Sequence, residues 1–203
     1  MNESSNRLVE LERGGLALAA PVATALLADL PRACGLHAAM EIADAARRAL
    51  MGPGLLTVNL LCSPLPGSEG AGEAGELGEA DATLVLQRIW TSDPVAYPVA
   101  GRKRKTLTPW TRQLLLRGEV FIGEGRQALE AVFDDHALIA SLGLQAVINV
   151  PVFDGQGRCF ATFNVLGTAP RWTPEAVSVA RLLAALCVPA LKAGALQIEA
   201  AEG

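Results

Sequence analysis

From Arg32 onward the apolar row Leu36, Met40, Ala43 and Leu50, with Arg47 in line, repeats at close to helical spacing. Met51-Gly52-Pro53-Gly54 then stops the run. Before it, residues 1–13 are polar, a frayed segment or the start of a helix, and 16–50 is rich in Ala and Leu with Pro31 as a break. Residues 55–62 and 83–92 have the β-branched, alternating character of strands. Between them, 63–81 holds five glycines and four glutamates without Lys or Arg, which predicts a flexible acidic loop inside one domain. Thr91-Ser92-Asp93-Pro94 reads as a turn, followed by an irregular stretch through Tyr97 and Gly101 and a compact basic run, Arg102-Lys103-Arg104-Lys105. Thr108-Pro109 places a capping hydroxyl before a proline at the first helical position, and that helix ends at Gly118. A short extended piece at 119–122 and a helix over 130–142, closed by Gly143, come next. Two strands, 146–153 and 158–166, flank the hairpin turn Asp154-Gly155-Gln156-Gly157. Thr173-Pro174-Glu175 opens a last helix that runs past Leu191 and is expected to kink at Pro189.

Hairpin joins and this element order predict a single α+β domain: a mainly antiparallel sheet with helices packed on it. The last helix carries Val177, Val179, Leu182, Leu183, Leu186, Cys187 and Leu191 around its circumference. Such a helix must be covered on two sides. The sheet covers one; the first helix or a second copy of the chain covers the other, which predicts a homodimer through the terminal helices.

Strand alternation gives the sheet two unlike faces. Leu56, Val58 and Leu60 lie opposite Thr57 and Asn59; Ile148 and Val150 lie opposite Asn149; Ala161, Phe163 and Val165 lie opposite Thr162 and Asn164. By the same parity Cys62 and Cys159 fall on the apolar face, and Arg88 and Trp90 share a face with Leu84 and Leu86. Three asparagines among apolar neighbours suit a half-polar cavity under residues 93–142, since each amide both donates and accepts. The blander reading has them satisfying loop backbone.

Composition narrows the functional classes. Of 203 residues 51% are hydrophobic and 19% charged, with 17 Lys plus Arg against 21 Asp plus Glu and a net charge of −4. Disorder of the whole chain and general polyanion binding are excluded, and no nucleic-acid partner is expected. The mean hydropathy of +0.31 raises a membrane span, but the uncharged stretch 14–28 contains Pro21 and is too short, and 182–191 is shorter still. No membrane association is expected. Glu3, Glu10 and Glu12 precede the first apolar run where a secretory signal would carry positive charge. Cys34, Cys62, Cys159 and Cys187 are scattered, without a CxxC pair, and only His37 and His136 are available to join them at a metal. A cytoplasmic protein without metal or cofactor follows as the expectation.

The run from Leu142 through Val152, followed by Gly157 to Asn164, resembles the paired C-terminal strands of GAF domains. Asp135-His136-Ala137-Leu138-Ile139 before it and Trp172-Thr173-Pro174-Glu175 after it agree. The resemblance spans residues 32–191, giving a domain at 32–192 between an N-terminal extension, 1–31, and a tail, 193–203. It implies a GAF/PAS-like sheet of five or six antiparallel strands, with terminal helices on one face and a ligand pocket on the other. It further implies a sensory role that regulates an effector; with no residues left for one here, the effector is expected to be a separate protein. The NKFDE-type pattern of cyclic-nucleotide GAF domains is missing, as is a chromophore-bearing cysteine. No cysteine lies between Cys62 and Cys159, which disfavours the methionine-sulfoxide reductases of the family.

The expected ligand is a small polar or anionic metabolite. The candidate binding residues are Asn59, Arg88, Trp90, Tyr97, Arg102, Arg104, Trp110, Phe121, Asn149, Thr162 and Asn164. Tyr97, the only tyrosine, could stack on a ligand, and Arg102 or Arg104 could clasp a carboxylate or phosphate bidentately. Against this, a basic run is most often a solvated loop, and Trp110, Phe121 and Phe133 suit core anchoring. His136 lies beside Asp134 and Asp135 but lacks a nucleophile, so no catalytic residue is expected. A dimerisation module without ligand, or an enzyme using the same pocket, are the alternatives.

Overall fold

A computed structural model of the chain describes residues 18–62 and 83–202. The polar start at 1–13 and the Gly/Glu-rich loop at 63–81 lie outside the described residues.

Helix α1 (Ala20–Thr24) carries Pro21 in its first turn, where the missing N–H leaves nothing unpaired. It widens into a π turn (Ala25–Asp29) and a 3₁₀ turn (Leu30–Arg32) that places Pro31 at its start. Helix α2 (Gly35–Met51) ends at Gly52, whose φ of 83° reverses the chain into β1 (Gly54–Leu61). Strands β2 (Leu84–Thr91) and β3 (Arg102–Lys105) follow, then α3 (Pro109–Thr111), prolonged by a π turn (Arg112–Leu116). Thr108 caps α3: its Oγ1 accepts from the Thr111 amide at 3.2 Å. Strand β4 (Phe121–Glu124), helices α4 (Arg126–Glu130) and α5 (His136–Ser141), strands β5 (Ala146–Phe153) and β6 (Cys159–Gly167) and helix α6 (Pro174–Glu202) complete the fold. Of the helix expected over 130–142 only the second half is helical, as α5; a turn at 131–135 separates it from α4, which lies almost wholly before that span. Helix α6 is continuous through Pro189 and the segment expected as a tail.

The six strands form one sheet in the order β3-β2-β1-β6-β5-β4, each neighbour antiparallel. The basic run is therefore an edge strand rather than a loop. A row of lysines and arginines on an edge opposes pairing with another sheet.

The apolar face carries Leu56, Val58, Ile148, Val150, Phe163 and Val165, and packs on α2, α6 and the 26–30 segment through Met40, Leu183, Cys187 and Leu26. The buried stripe on α6 is Ala176, Val179, Ala180, Leu183, Ala184, Cys187 and Leu191. Its spacing is that of one helical face. Gly194 continues the stripe, and the other described residues of α6 are half-buried or exposed, with Leu196 at 66% exposure. By length and composition α6 could cross a bilayer. The stretch 182–191 was too short for this on its own, but the helix extends well beyond it at both ends.

Two β-bulges correct the expected faces. In β2 the register with β1 shifts between Val58↔Trp90 and Asn59↔Arg88, so Ile89 is the additional residue. Ile89 and Trp90 both enter the helix-side core, whereas Arg88 stays on the opposite face. In β5–β6 a shift at Val152/Phe153 pairs Phe153 with Cys159. Cys159 accordingly packs with Leu84, Leu86, Leu114 and Leu115 on the far side of the sheet, not on the helix-packed face.

A buried ion pair within α2, unforeseen from the sequence, orients an arginine that ties the helix to β1. Arg47 and Asp44 are both 1% exposed, with Arg47 Nε 2.7 Å from Asp44 Oδ1. Arg47 also donates to the carbonyls of Gly52 at 3.0 Å and Gly54 at 3.2 Å. Gly54 itself passes so close to β6 that an added Cβ would lie 2.1 Å from the Leu166 carbonyl oxygen.

Candidate functional site

On the face away from α2 and α6, the central strands β1, β6 and β5 place Thr57, Asn164 and Asn149 side by side: Thr57 pairs with Asn164, and Asn164 with Asn149. Asn149 Nδ2 donates to Asn164 Oδ1 at 2.8 Å. Asn164 Nδ2 in turn donates to Thr162 Oγ1 at 3.1 Å and lies 3.4 Å from Thr57 Oγ1. Trp110, held by the capped start of α3, donates from Nε1 to Asn149 Oδ1 at 3.0 Å. The Trp110 ring meets Phe133 edge-on at 6.0 Å, and Phe133 meets Phe121 at 6.4 Å. Thr57, Trp110, Phe133, Asn149 and Asn164 line a cavity of about 60 Å³. Its floor is Thr57, Asn149 and Asn164; Leu55, Val147 and Leu166 form one wall, and Arg88, Tyr97, Lys103 and Asp135 the other.

That second wall is charged. The Arg88 guanidinium lies over the Tyr97 ring, 4.8 Å from its centroid, and donates to the Pro98 carbonyl at 3.1 Å. Arg88 is 8% exposed and Tyr97 6%. The Arg88 Nε and the Tyr97 hydroxyl are buried without a hydrogen-bond partner. A native interior rarely leaves two such groups unsatisfied in one place. Lys103 Nζ donates to Asp135 Oδ2 at 2.8 Å across the mouth, and Lys105 pairs with Asp134 beside it. These two bridges tie the β3 edge to the α4–α5 turn.

The electrostatics follow from burial. Desolvation draws the Arg88 guanidinium below its ordinary pKa, opposed by the negative charge of Asp135; it remains a cation at neutral pH. Burial first, and then the Asp135 charge, push the Tyr97 hydroxyl well above its ordinary value, so it stays protonated as a donor. Burial alone would raise the Asp135 carboxyl; the bond and charge of Lys103 outweigh it and hold the group below the usual carboxylate range. The cavity thus presents cationic and neutral donors to whatever enters, with one carboxylate at its lip.

The family model for the GAF domain matches residues 7–191. The chain belongs to the GAF domain family. The match begins within the segment expected to be an N-terminal extension. No curated protein matches the chain. Among solved structures, the fold resembles the GAF domain of an Acinetobacter phosphoenolpyruvate-protein phosphotransferase, with a TM-score of 0.58 at 12% identity, over 90% of this chain and 99% of that one. It also resembles the GAF domain of a two-component sensor histidine kinase from Bacillus halodurans, with a TM-score of 0.55 at 10% identity, over 78% and 94% of the two chains. A third likeness is to the phycoerythrobilin-bound GAF domain of a cyanobacterial phytochrome, with a TM-score of 0.52 at 15% identity, over 89% and 98%. At these identities the resemblance establishes the fold.

Within this GAF domain the expected site residues separate into three groups. Arg88, Tyr97, Trp110, Asn149 and Asn164 line the cavity. Thr162 and Asn59 stand behind it on the same face: Thr162 supports Asn164, and Asn59 Nδ2 reaches Thr162 Oγ1 only at 3.5 Å. Phe121 buttresses the aromatic roof through Phe133. The third group does not reach the cavity. Trp90 is turned into the helix-side core by the β2 bulge. Arg102 and Arg104 are exposed on the other face of β3, opposite Gln87 and Val85. Strand alternation sends Lys103 and Lys105 inward in their place. Lys103 and Asp135 were not foreseen as site residues; treating the basic run as a strand would have selected Lys103 by parity. His136 is exposed and absent from this cavity.

Proposed function

We propose that this GAF domain is a sensory module that binds a small polar or anionic metabolite in the Arg88–Tyr97–Asn149 cavity. The observation that carries the reading is the pair of buried, unpartnered donors, Arg88 Nε and the Tyr97 hydroxyl, on the wall of one hollow. Three other concavities are larger, at about 310, 320 and 310 Å³. None of them is lined by a buried unpartnered polar side chain. The ligand satisfies these donors and orders the aromatic roof of Trp110, Phe133 and Phe121. The sheet passes that ordering to α2 and α6 and so to a separate effector, by favouring the conformation that holds the ligand. The domain acts in the cytoplasm by binding rather than by catalysis.

The outer surface of α6 supports a homodimer as the output element. Leu196 and Leu27 are 66% and 73% exposed, and an apolar groove runs between Leu30, Pro31, Leu186 and Pro189. A second copy covers this surface. The test is a metabolite thermal-shift screen with native mass spectrometry of the purified chain, repeated on Arg88→Met. A hit lost in the variant supports the reading; a protein that binds nothing, or binds equally well without Arg88, overturns it. Light scattering at micromolar concentration decides the dimer: a monomer refutes it, and a chain that requires detergent assigns α6 to a bilayer instead.

A further inference from the structure

Resting on that reading, we infer that Asp135 is a tethered stand-in for the ligand's own anionic group. The site takes a compact carboxylate, and the incoming carboxylate displaces Asp135 from Lys103. Three observations converge on this. First, the donors that face the cavity suit an anion: a guanidinium with a buried, unpartnered Nε, a phenol with a buried, unpartnered hydroxyl, and the Lys103 ammonium. Arg88 and Tyr97 are more than nine-tenths buried, so their donors cannot be satisfied by bulk water. Second, the acid already present is a carboxylate supplied by the chain. It sits 2.8 Å from Lys103 with its side chain only 23% exposed. It neutralises the ammonium and faces the Tyr97 hydroxyl, yet it leaves Arg88 Nε without a bond. A free carboxylate is not tethered to the α4–α5 turn, can move deeper, and can engage all three donors.

Third, the space sets the size. About 60 Å³ holds on the order of four or five water-sized groups. That suits a carboxylate with one to three further heavy atoms, and excludes nucleotides and tetrapyrroles unless the roof rearranges. A carboxylate also matches the planar guanidinium, which favours two-point contact.

The exchange gives the site an output. Asp135 precedes α5, and Phe133, two residues before it, supports both Trp110 and Phe121. Displacing Asp135 removes one of the two bridges that hold the α4–α5 turn against β3; Lys105–Asp134 remains. Binding is therefore coupled to the position of the aromatic roof, and the tethered acid sets the concentration at which the site responds.

The experiment is calorimetric titration of the full chain with acetate, pyruvate and inorganic phosphate, with acetamide as the neutral analogue, at fixed ionic strength. Asp135→Asn removes the competitor at nearly constant shape. It is expected to bind acetate and pyruvate at least tenfold more tightly than the wild type, with acetamide binding neither. Asp134→Asn, on the neighbouring bridge, is expected to match the wild type. Equal or weaker carboxylate binding by Asp135→Asn, or no binding by either protein up to 50 mM, overturns the inference; so does tighter binding of phosphate than of either carboxylate. If Asp135→Asn does not fold, the thermal midpoint of Asp135→Ala in acetate against equal chloride decides. A rise specific to acetate supports the exchange, and identical midpoints overturn it. A neutral or cationic hit in the metabolite screen would sink the carboxylate assignment while leaving the sensory role standing.

Discussion

Replacing Asn149 by Ala tests whether the floor of the cavity is a hydrogen-bonded unit. The side chain is 2% exposed, accepts from Trp110 Nε1 at 3.0 Å and donates to Asn164 Oδ1 at 2.8 Å. Truncation strands both partners. Asn164 is itself 5% exposed and has no route to bulk water, so its oxygen bears a desolvation cost of about 1–3 kcal/mol. Trp110 is half-buried at the cavity rim and partly rehydrates, so the loss there is nearer ~1 kcal/mol. The sum is about 2–4 kcal/mol. At roughly 2–4 °C for each kcal/mol in a chain of this size, the thermal midpoint falls by about 4–16 °C. Urea denaturation followed by circular dichroism gives the energy directly. Because Asn149 and Asn164 share a bond, the double variant should lose less than the sum of the singles, by about 1 kcal/mol. A loss below about 0.5 kcal/mol for Asn149→Ala, or a gain for Asn149→Leu, would show that the floor tolerates an apolar filler and refute the reasoning.

Three further outcomes are expected. Asp44→Ala leaves the Arg47 guanidinium buried without its counter-charge and should cost about 3–5 kcal/mol in urea unfolding; a cost under 1 kcal/mol would mean water reaches the pair. In a thiol-reagent time course at pH 8, Cys34 and Cys62, both exposed, should react first. Burial pushes the thiols of Cys159 and Cys187 up to about 11 and about 12, and these should react only on denaturation; four equally fast thiols would contradict the packing. The Asp135 carboxyl is held below its ordinary value in the folded state, so its pairing with Lys103 stabilises the fold above the unfolded carboxyl pKa of about 4 and is lost as pH falls through the lower folded value. The stability difference between wild type and Lys103→Met should therefore be full at pH 6 and shrink below about pH 4; a difference independent of pH would place the lysine's contribution elsewhere.

Much of the architecture was legible because local rules and global fold agree. Asp154-Gly155-Gln156-Gly157 turns β5 into β6, Thr108 caps α3, and Pro174 opens α6, each as the residue types require. The asparagine row was legible for the same reason, since alternation in three strands needs no knowledge of their neighbours. What was illegible depends on pairing. A bulge adds one residue against a partner strand, so Trp90 and Cys159 changed faces without any local mark in the sequence. Arg102-Lys103-Arg104-Lys105 has no apolar position to reveal its alternation, and only the register with Leu84–Gln87 shows which cations face inward. Asp135 stands out locally only as a neighbour of His136; its partner is 32 residues away in sequence, on a strand whose basic run reads locally as a loop.

The additional residue in β2 also constrains how this domain tolerates insertions and deletions. Excising Ile89 would restore a regular ladder, with Arg88 still opposite Asn59 and Trp90 still opposite Val58. Both side chains would keep their faces, and the oily layer would lose one buried isoleucine while the hollow kept its guanidinium. That deletion should cost stability without reversing the strand, whereas removing a regularly paired residue such as Gln87 would turn the preceding part of β2 over. A bulge-free strand could therefore replace β2 wherever its cation directly precedes the residue that faces the helices.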